Sequence, residues 1–509
     1  QVDIPDSNLG NYSSGQVNFN MPSLSTSDGF IDLKACSIQI PIVIDVTSDV
    51  ALTAVKDKMV AVKAGMNQFI HSVSLTVGNK QVLIPCDFTN IPLTYKMLSE
   101  SSPLDEANLF DSMGFAKDSN TIAYSADFGG EINNRQLKPA PVVGQVNSTD
   151  TRNEGFAKRS QQMAFNAADA TSTYYTNLNN TVQRRKNHVV NENTTHITYM
   201  YVVDVKLGDI CGDLMEDMKL TKGAFLKLVL NVNNAKTVFD IVHATKVISN
   251  ITSDCKFGGT CPFMVAQCGD TWNTTADSTI TVESNIVSAG GIVNDFGMTS
   301  CNFAAKFIKL RAEDELEYLS KVPSQTLRYT QLHLHEELSV PAGGTISTMV
   351  TSAHRKMRYL LIHTSLADAA NGNIPPHASP FTSSPATCMP FSSITNFDVR
   401  IANKSIFAQP INYGYDQFAE MRAHASISAG RDLGLSTGLI SKSDYDNGYG
   451  YMWVDLGRYE TDVSDNTLKN LQVRGVNNTQ VAVHYRFFLA TEHQFSMSTS
   501  TGLVEINQD

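Results

Sequence analysis

The chain contains 509 residues, of which 42% are hydrophobic and 17% are charged, and its formal net charge at pH 7 is −11. This length and composition are typical of a globular, weakly charged protein with room for two domains, and they exclude a disordered chain. The negative charge argues against binding of nucleic acid through phosphate neutralisation, and no apolar run approaches the roughly 18 residues that a membrane span needs.

The first 28 residues are rich in Ser, Asn and Gly, and no Lys or Arg occurs before Lys34. This composition predicts an extended N-terminal arm, residues 1–28, without a core of its own and without basic charge for a genome. Residues 29–257 then read as a first β-rich unit. Pro41, which lies between apolar residues in its first strands, indicates a sheet edge or a bulge.

Residues 70–83 carry the clearest local pattern of the first unit. Val73, Leu75 and Val77 alternate with polar residues, which is the period of a strand with one buried face. The pair Asn79-Lys80 follows, and Asn tolerates the left-handed backbone of a tight turn. We therefore predict a strand, a turn and a second strand.

The same arrangement returns at residues 394–407, where the strand pattern ends at Asn403-Lys404. A short helical pattern follows each copy, around Tyr95 in the first and around Phe418 in the second. Identity between the copies is low, so the shared order of elements carries the comparison.

A second pair of segments supports a repeat. Residues 199–202 (Tyr-Met-Tyr-Val) are similar to residues 451–454 (Tyr-Met-Trp-Val), and a Gly lies 24 residues after the first tyrosine in both copies, Gly223 and Gly475. The apolar strands that follow these glycines are residues 226–232 and 481–490. Two landmarks in the same order predict one unit built twice.

The remaining segments define the boundaries of the two units. Residues 101–194 are rich in Asn, Ser and Thr without an apolar period, which predicts a surface insertion in the first unit. The basic run at 184–186 inside it is interpreted as a solvated loop. Glycine pairs interrupt residues 258–299, which we predict to be a linker. The second unit then covers residues 300–497, and a C-terminal tail covers 498–509.

Both units contain many short strands, turns with Gly, Pro or Asn, and few helices. This pattern predicts an all-β protein with a sandwich or barrel in each unit.

Two short patterns resemble enzyme or metal sites. Residues 434–438 (Gly-Leu-Ser-Thr-Gly) place Ser436 in a hydrolase-type pattern, but that pattern needs a buried strand before it and a helix after it, and the flanks here predict a loop. His333 and His335 share one face of a predicted strand beside Glu336. Two imidazoles without a third ligand indicate a half-exposed strand face rather than a metal site.

The eight cysteines contain no Cys-x-x-Cys pair, and Cys255, Cys261 and Cys268 have the wrong spacing for a zinc ribbon or finger. One disulfide within that group stays open, and buried free thiols are the general expectation. We therefore assign no catalytic, cofactor-binding or metal-binding residue and expect no cofactor.

Two consecutive β units, each with a hairpin, a short helix and late strands, and a large insertion on the first, form a specific arrangement. With this arrangement the chain resembles the double jelly-roll major capsid proteins of eukaryotic double-stranded DNA viruses, and among them those of virophages, polinton-like viruses and adintoviruses. The segments that carry the resemblance are residues 69–82, 199–232, 307–329, 379–407 and 451–490.

The resemblance implies two eight-stranded antiparallel jelly-roll sandwiches and a structural protein rather than an enzyme. It implies a homotrimer that forms a pseudo-hexameric capsomer and tiles an icosahedral virion shell, after synthesis and assembly inside a host cell. The implied partners are neighbouring capsomers, penton proteins and minor capsid proteins, without sequence-specific binding of nucleic acid and without a transmembrane segment. Residues 101–194 would form an outer tower, and residues 1–28 would point towards the interior.

Two other hypotheses compete with the shell. The first is a glycan- or receptor-binding surface on paired β-sandwiches, to which Tyr174 and Tyr175 in the insertion would contribute. The second is an enzyme on the same scaffold, using Ser436 or the pair His333 and His335.

Overall fold

The computed structural model describes residues 2–507 with these gaps: 22–28, 53–59, 79, 108–114, 119–154, 157–158, 160–187, 193–194, 213, 216–217, 224, 245–246, 266–275, 288–299, 368–373, 390–391, 429–436 and 458–467. No helix in the described part of the chain combines the length and the apolar content needed to cross a membrane.

The strands of the first unit are β1 (Val2–Pro5), β2 (Gln16–Met21), β3 (Phe30–Ile31), β4 (Ser37–Ser48), β5 (Val60–Val62), β6 (Ile70–Val77), β7 (Lys80–Leu83), β8 (His188–Glu192), β9 (His196–Lys206), β10 (Leu226–Val232), β11 (Ala235–Val242), β12 (Val247–Cys255), β13 (Phe263–Val265), β14 (Ser278–Ile286), β15 (Asn302–Ala305) and β16 (Phe307–Ile308). Those of the second unit are β17 (Ser324–Val340), β18 (Thr345–His354), β19 (Met357–Leu366), β20 (Ile394–Ile401), β21 (Lys404–Ser405), β22 (Met452–Asp455), β23 (Lys469–Asn477), β24 (Val483–Ser498) and β25 (Val504–Asn507). The helices are α1 (Asn90–Glu100), α2 (Leu207–Cys211), α3 (Ala312–Lys321), α4 (Tyr415–Ser428) and α5 (Lys442–Asn447).

The second unit is a jelly roll. Counted from β17 to β24, its first, eighth, third and sixth strands are neighbours in one sheet, in the order β17-β24-β19-β22, and β25 pairs with the end of β24. Its second, seventh, fourth and fifth strands form the other sheet, in the order β18-β23-β20-β21. The pairings are antiparallel, and the interleaved order is that of a jelly-roll sandwich.

The first unit repeats this plan with additions. Its four-stranded sheet has the order β2-β10-β6-β7, so the hairpin β6–β7 lies beside β10 as β20–β21 lies beside β23. Its larger sheet has the order β1-β15-β4-β14-β11-β12, while β9 also pairs with β4 and β8 pairs with β9. The predicted all-β double jelly roll is confirmed.

Both predicted hairpins are present and occupy the same place in their sheets. In the second hairpin, Ala402 and Asn403 have φ values of 51° and 67°, so the turn uses the left-handed backbone that Asn tolerates. The helices predicted after the hairpins are α1 and α4. The pair of segments at 199–202 and 451–454 lies in β9 and β22, which both belong to the larger sheet of their units.

The predicted match of Gly223 and residues 226–232 with Gly475 and residues 481–490 is wrong. Gly475 lies inside β23, and β23 holds the position in its sheet that β10 holds in the first unit. Residues 481–490, which the sequence comparison aligned with β10, belong instead to β24 and its approach. The equal spacing to Gly223 and Gly475 is therefore a coincidence, because one glycine precedes its strand and the other lies within it.

The segment 1–28 is not an arm. β1 pairs with β15 in the larger sheet, and β2 pairs with β10 in the smaller one. Val17, Phe19 and Met21 are fully buried in the core. These three residues alternate with polar ones, which is the strand period, but the Ser- and Asn-rich composition around them concealed it.

Residues 258–299 are not a linker, because β14 lies within this segment and pairs with both β4 and β11. β15 and β16, which were expected in the second unit, pair with β4 and β3 of the first. The chain passes to the second unit through α3. The predicted tail, 498–509, likewise contains a paired strand, β25.

The cores of the two units are built partly from each other. Leu327 and Tyr329 on β17 and Phe495 on β24 are buried in the core of the first unit, whereas Val340 and Phe487, at the other ends of these strands, are buried in that of the second. The long antiparallel β17–β24 ladder, paired from Ser324 with Ser498 to Val340 with Val483, therefore crosses both cores.

We predict that Phe495→Ala destabilises the whole chain and not only the second unit. The ring is fully buried beside Tyr329, at 5.8 Å between ring centroids, so its removal leaves a cavity and should cost about 3–5 kcal/mol. Urea unfolding followed by tryptophan fluorescence and by circular dichroism should show one transition at a lower midpoint.

The matched control is Leu316→Ala on α3, whose side chain is 72% exposed and whose loss should leave the midpoint nearly unchanged. Two separate transitions, with only one of them shifted by Phe495→Ala, would contradict a shared core.

Candidate functional site

The described residues bring together no constellation typical of an enzyme, and the densest interactions lie where the two units meet. We call this contact region the joint. It consists of α1 from the first unit together with β17, β24, residues 376–389 and residues 437–440 from the second.

Helix α1 belongs to the first unit but packs into the core of the second. Ile91, Tyr95 and Leu98 recur at helical spacing and are buried on one face. The ring of Tyr95 lies 5.2 Å from that of Tyr451 and 6.4 Å from that of Phe418. The predicted helix thus closes one end of the neighbouring sandwich.

Residues 437–440 hold the C-terminal end of α1. The amide of Leu439 donates a hydrogen bond to the carbonyl of Leu98 at 2.7 Å. Gly438 has a φ of +68°, and a Cβ at this position would clash with the same Leu98 carbonyl. Only glycine allows this approach and this backbone conformation together.

Arg486 on β24 is the charged centre of the joint and is only 2% exposed. Its Nε donates to Glu336 at 2.8 Å and its Nη1 donates to Ser365 at 3.2 Å. The guanidinium also lies 4.5 Å from the ring centroid of Phe88, which belongs to the first unit. A buried guanidinium needs such partners, because an unpaired buried charge is strongly destabilising.

Lys63 ties the units together from the opposite direction. It follows β5 in the first unit, is fully buried, and its Nζ donates to the carbonyls of Ser379 and Ser384 at 2.9 and 2.6 Å. Burial lowers the pKa of Lys63 to about 8. The two carbonyls that receive its hydrogen bonds belong to the second unit, so each unit supplies a buried cation to the joint.

The predicted insertion, 101–194, lies mostly outside the described residues, but its described parts reach the joint. Phe115 is buried against the second unit, and Lys117 forms an ion pair with Asp444 at 2.8 Å. Asp118 pairs with Arg159 at 2.7 Å, and both side chains are buried. These parts of the insertion are therefore structural and not solvated loop.

The C-terminal end of β24 contacts the first unit at the far end of the joint. The amide of Lys222 donates to the carbonyl of Thr499 at 2.9 Å. Gly78, in the turn after β6, has a φ of +60°, and a Cβ there would lie 2.7 Å from the carbonyl of Gly502. The residues predicted as a tail are thus part of the contact between the units.

A cleft of about 180 Å³ opens beside the joint, between α1, α2 and β17. Its walls carry Lys96, Glu100 and Asp209 among mainly apolar residues. The guanidinium of Arg422 lies over the ring of Trp453, 5.1 Å from its centroid, so the protein's own cation already covers this aromatic wall. Charges of both signs and an occupied aromatic face select no particular ligand chemistry, and we assign none.

The residues singled out in the sequence do not converge on a site. His333 and His335 both lie on β17, but the ring of His333 packs on that of His354 and the ring of His335 on that of Phe487. In the described part of the chain, no group of three His, Cys, Asp or Glu side chains is arranged to hold a metal ion. Ser436 and the pair Tyr174 and Tyr175 lie outside the described residues.

The cysteines that the structure describes are free thiols. Cys255 and Cys261 form no disulfide with each other, and Cys268 lies outside the described residues. Burial raises the pKa of the Cys261 thiol to about 12, so it is inert as a nucleophile near neutral pH.

Sequence reasoning missed the joint. The signals that could have indicated it were the apolar residues Phe88 and Tyr95 next to a hairpin, and the change of apolar face within β17, from Leu327 and Tyr329 to Leu332 and Leu334. Neither signal names its partner, because the partner lies in the other unit.

Comparison with known proteins finds no matching family model and no match among curated proteins. Comparison with solved structures finds the mavirus major capsid protein, with a TM-score of 0.50 and 10% sequence identity over 99% of this chain and 89% of that one. A chain in the structure of the Sputnik virophage matches with a TM-score of 0.56 and 15% identity over 100% of this chain and 88% of that one. At these identities the likeness is one of fold, and it extends over both units.

We predict that Gly438→Ala weakens the joint. The new methyl group would force residues 437–440 away from α1, which should cost about 1–3 kcal/mol beyond the cost of the left-handed backbone itself. Urea unfolding of the purified variant measures this loss.

The matched control is Gly343→Ala, because Gly343 has a similar φ of +72° but no atom within 4 Å of the place that a new methyl group would take. Equal losses for the two variants would show that the contact with α1 contributes nothing.

Proposed function

We propose that this chain is a major capsid protein, a structural subunit without enzymatic activity. It forms homotrimers that act as pseudo-hexameric capsomers and tile an icosahedral virion shell. The observation that carries the proposal is the presence, in one chain, of two jelly-roll sandwiches whose smaller sheets have the same strand order and whose cores interlock.

The geometry of the repeat suits a six-sided tile. Three copies around a threefold axis present six jelly rolls, alternating between the first and the second kind. Such a ring needs only one type of contact between copies, repeated three times, because the contact between unlike rolls inside a chain is already made at the joint.

The strands that end the smaller sheets, in the part of the chain that the structure describes, give a physical reason for association. In the second unit, β18 and β21 end the smaller sheet, and in the first unit β2 and β7 do so. Unpaired edges favour pairing with other chains unless something covers them. Contacts between copies, and between neighbouring capsomers, would cover such edges over a large area.

The structural matches support the same function. One is named as the major capsid protein of mavirus, and the other comes from the structure of the Sputnik virophage. Each match covers almost all of this chain, so it includes both jelly rolls and the joint, and not a single common sandwich.

The charge of the chain suits a wall around DNA. A net charge of −11 gives no general attraction for phosphate, so we propose no direct sequence-specific binding of nucleic acid. The proposed partners are neighbouring capsomers, penton proteins and minor capsid proteins. The proposed location is the virion shell, after synthesis and assembly inside the host cell.

The test is the mass and shape of the purified protein. Light scattering after size exclusion should give three times the chain mass of 55.7 kDa, and negative-stain images should show pseudo-hexagonal particles. A monomer at every concentration, or a dimer with twofold symmetry, would contradict the proposal. Serial dilution is the control, since a weak aggregate loses mass gradually and a closed trimer does not.

A further inference from the structure

The histidines of this chain are unevenly distributed. The sequence contains 12 histidines, and seven of them lie on the β17–β24 ladder or directly against it. These are His333, His335, His354, His363, His377, His484 and His493. The β17–β24 ladder also crosses both cores, so these seven histidines lie at the joint.

The first group connects three strands. The rings of His333 on β17 and His354 on β18 are 4.2 Å apart between centroids. The hydroxyl of Thr491 on β24 lies 3.1 Å from Nε2 of His333 and 3.0 Å from Nε2 of His493. The other face of this group is closed by Tyr329, whose ring stacks on His493 at 5.5 Å. Three imidazoles, two on the β17–β24 ladder and one on β18, thus lie close together.

The second group surrounds the buried guanidinium of Arg486. Nδ1 of His377 faces Nη2 of Arg486 at 3.5 Å, and His363 occupies the register position opposite Arg486 on the neighbouring strand. His363 is fully buried, with Nε2 3.2 Å from the carbonyl of Thr387. The carboxylate of Glu336 already pairs with Arg486, so the added charge of a protonated imidazole would face a cation.

The charged and titratable groups that face these histidines are mainly basic. Those that act on His377 are Arg486, Lys63, His484 and His363. His333 faces His354 and His493, which are themselves histidines. Each protonation would therefore place a positive charge next to other positive or protonatable groups in a poorly solvated place.

We propose that the joint is an acid-sensitive latch: near neutral pH its histidines are uncharged and packed, and acidification charges them and releases the β17–β24 ladder from the elements that it holds. The proposal concerns the folded chain itself and does not depend on whether the chain builds a shell. In a shell, it would make acid loosen each subunit from within.

The pKa values support this geometry. Burial, and then the neighbouring histidines, lower the pKa of His333 to about 4. Burial, and then Arg486, lower the pKa values of His363 and His377 to about 3. Burial, and then His493, also lower the pKa of His354 below its usual value.

The direction of the effect follows from linkage. A histidine in the unfolded chain titrates near pH 6.5, so below that pH the unfolded state binds more protons than the folded one. Stability is therefore complete above about pH 6.5 and falls as the pH decreases towards 4. Each such histidine raises the unfolding constant by up to about tenfold per pH unit in this range.

One carboxyl on the β17–β24 ladder changes the stability in the opposite direction as the pH decreases. Burial raises the pKa of Glu337, whose carboxylate accepts a hydrogen bond from Thr348, so the folded state takes up its proton early. Glu337 therefore opposes the effect of the histidines, but it is a single group against the four whose pKa values are lowered.

A metal ion is the other ligand that three histidines could attract. No three of these side chains are arranged to hold an ion in the part of the chain that the structure describes. Thr491 also engages the Nε2 atoms that would point to such an ion. Protons are therefore the ligand that the geometry favours.

The test compares the parent chain with the double variant His333→Gln/His354→Gln. Unfolding in urea is measured at pH 7.5 and pH 5.5, above the range in which ordinary carboxylates titrate. Between these pH values the loss of neutral His333 should account for about tenfold in the unfolding constant, and that of His354 for up to about tenfold more, so the double variant should show a pH dependence about 10- to 100-fold smaller than that of the parent. An equal pH dependence in the two proteins would overturn the proposal.

The matched control is His243→Gln, which changes an exposed histidine in the turn after β11, away from the β17–β24 ladder. It should leave the pH dependence of the parent unchanged. A reduction as large as that of the double variant would mean that the effect is a general property of histidines in this chain, and would also overturn the proposal.

A second measurement does not depend on how the variants fold. Hydrogen–deuterium exchange at the imidazole C2 position, read by mass spectrometry on the parent protein, reports the protonation state of each histidine. His333, His363 and His377 should remain neutral at pH 5.5, whereas midpoints near pH 6.5 for all three would contradict the latch.

Discussion

The pairing of β17 with β24 is the interaction on which the rest of this structure depends. Its two strands are the longest that the structure describes, with 17 and 16 residues, and each has one end in either core. A long antiparallel ladder satisfies its own backbone groups, so it can cross from one hydrophobic environment to another without leaving polar groups unpaired.

The other contacts between the units are arranged around this ladder. α1 closes the second sandwich on one side of it, and Phe381 of the second unit packs on Phe239 of the first, at 5.2 Å. Units that exchange core residues in this way differ from ordinary domains, whose interfaces are smaller and more polar.

The buried charges of the joint follow from the same exchange. Lys63 donates its hydrogen bonds to carbonyls of the other unit. Arg486 is hydrogen-bonded within its own unit and contacts the other through the ring of Phe88. Replacing such a group with an apolar one is often neutral for stability, but leaving it unpaired is costly. The hydrogen bonds of Lys63 to the second unit therefore select one relative placement of the two units among the many that apolar surfaces alone would allow. The buried histidines impose a further condition, because they hold this placement only while they are neutral.

The sequence predicted local structure well and long-range structure poorly, and the reason is physical. The hairpins at residues 70–83 and 394–407 were found because strand period and turn chemistry depend only on neighbours along the chain. β2 and β14 were assigned to an arm and a linker because their partners, β10, β4 and β11, lie far away in sequence. The strand that holds His333 was also recognised, but its contacts with His354 and His493 come from other strands. A period shows that one face is buried, and it cannot show which residues cover it.

The two units differ in their additions, and the difference shows which features the fold constrains. The first unit has the extra hairpin β11–β12 at the border of its larger sheet and a long insertion before β9, while the second adds only the short strand β25 to the eight-stranded order. Additions of this kind are tolerated at sheet borders and in loops, since they leave the inner strands paired.

The smaller sheets have the same four-strand order in both units, although their sequences have little in common. If sequence were the constraint, the shared part would be visible as identity. Because strand order persists without identity, the constraint acts on shape, which is the property that a repeated tile with six similar sides would require.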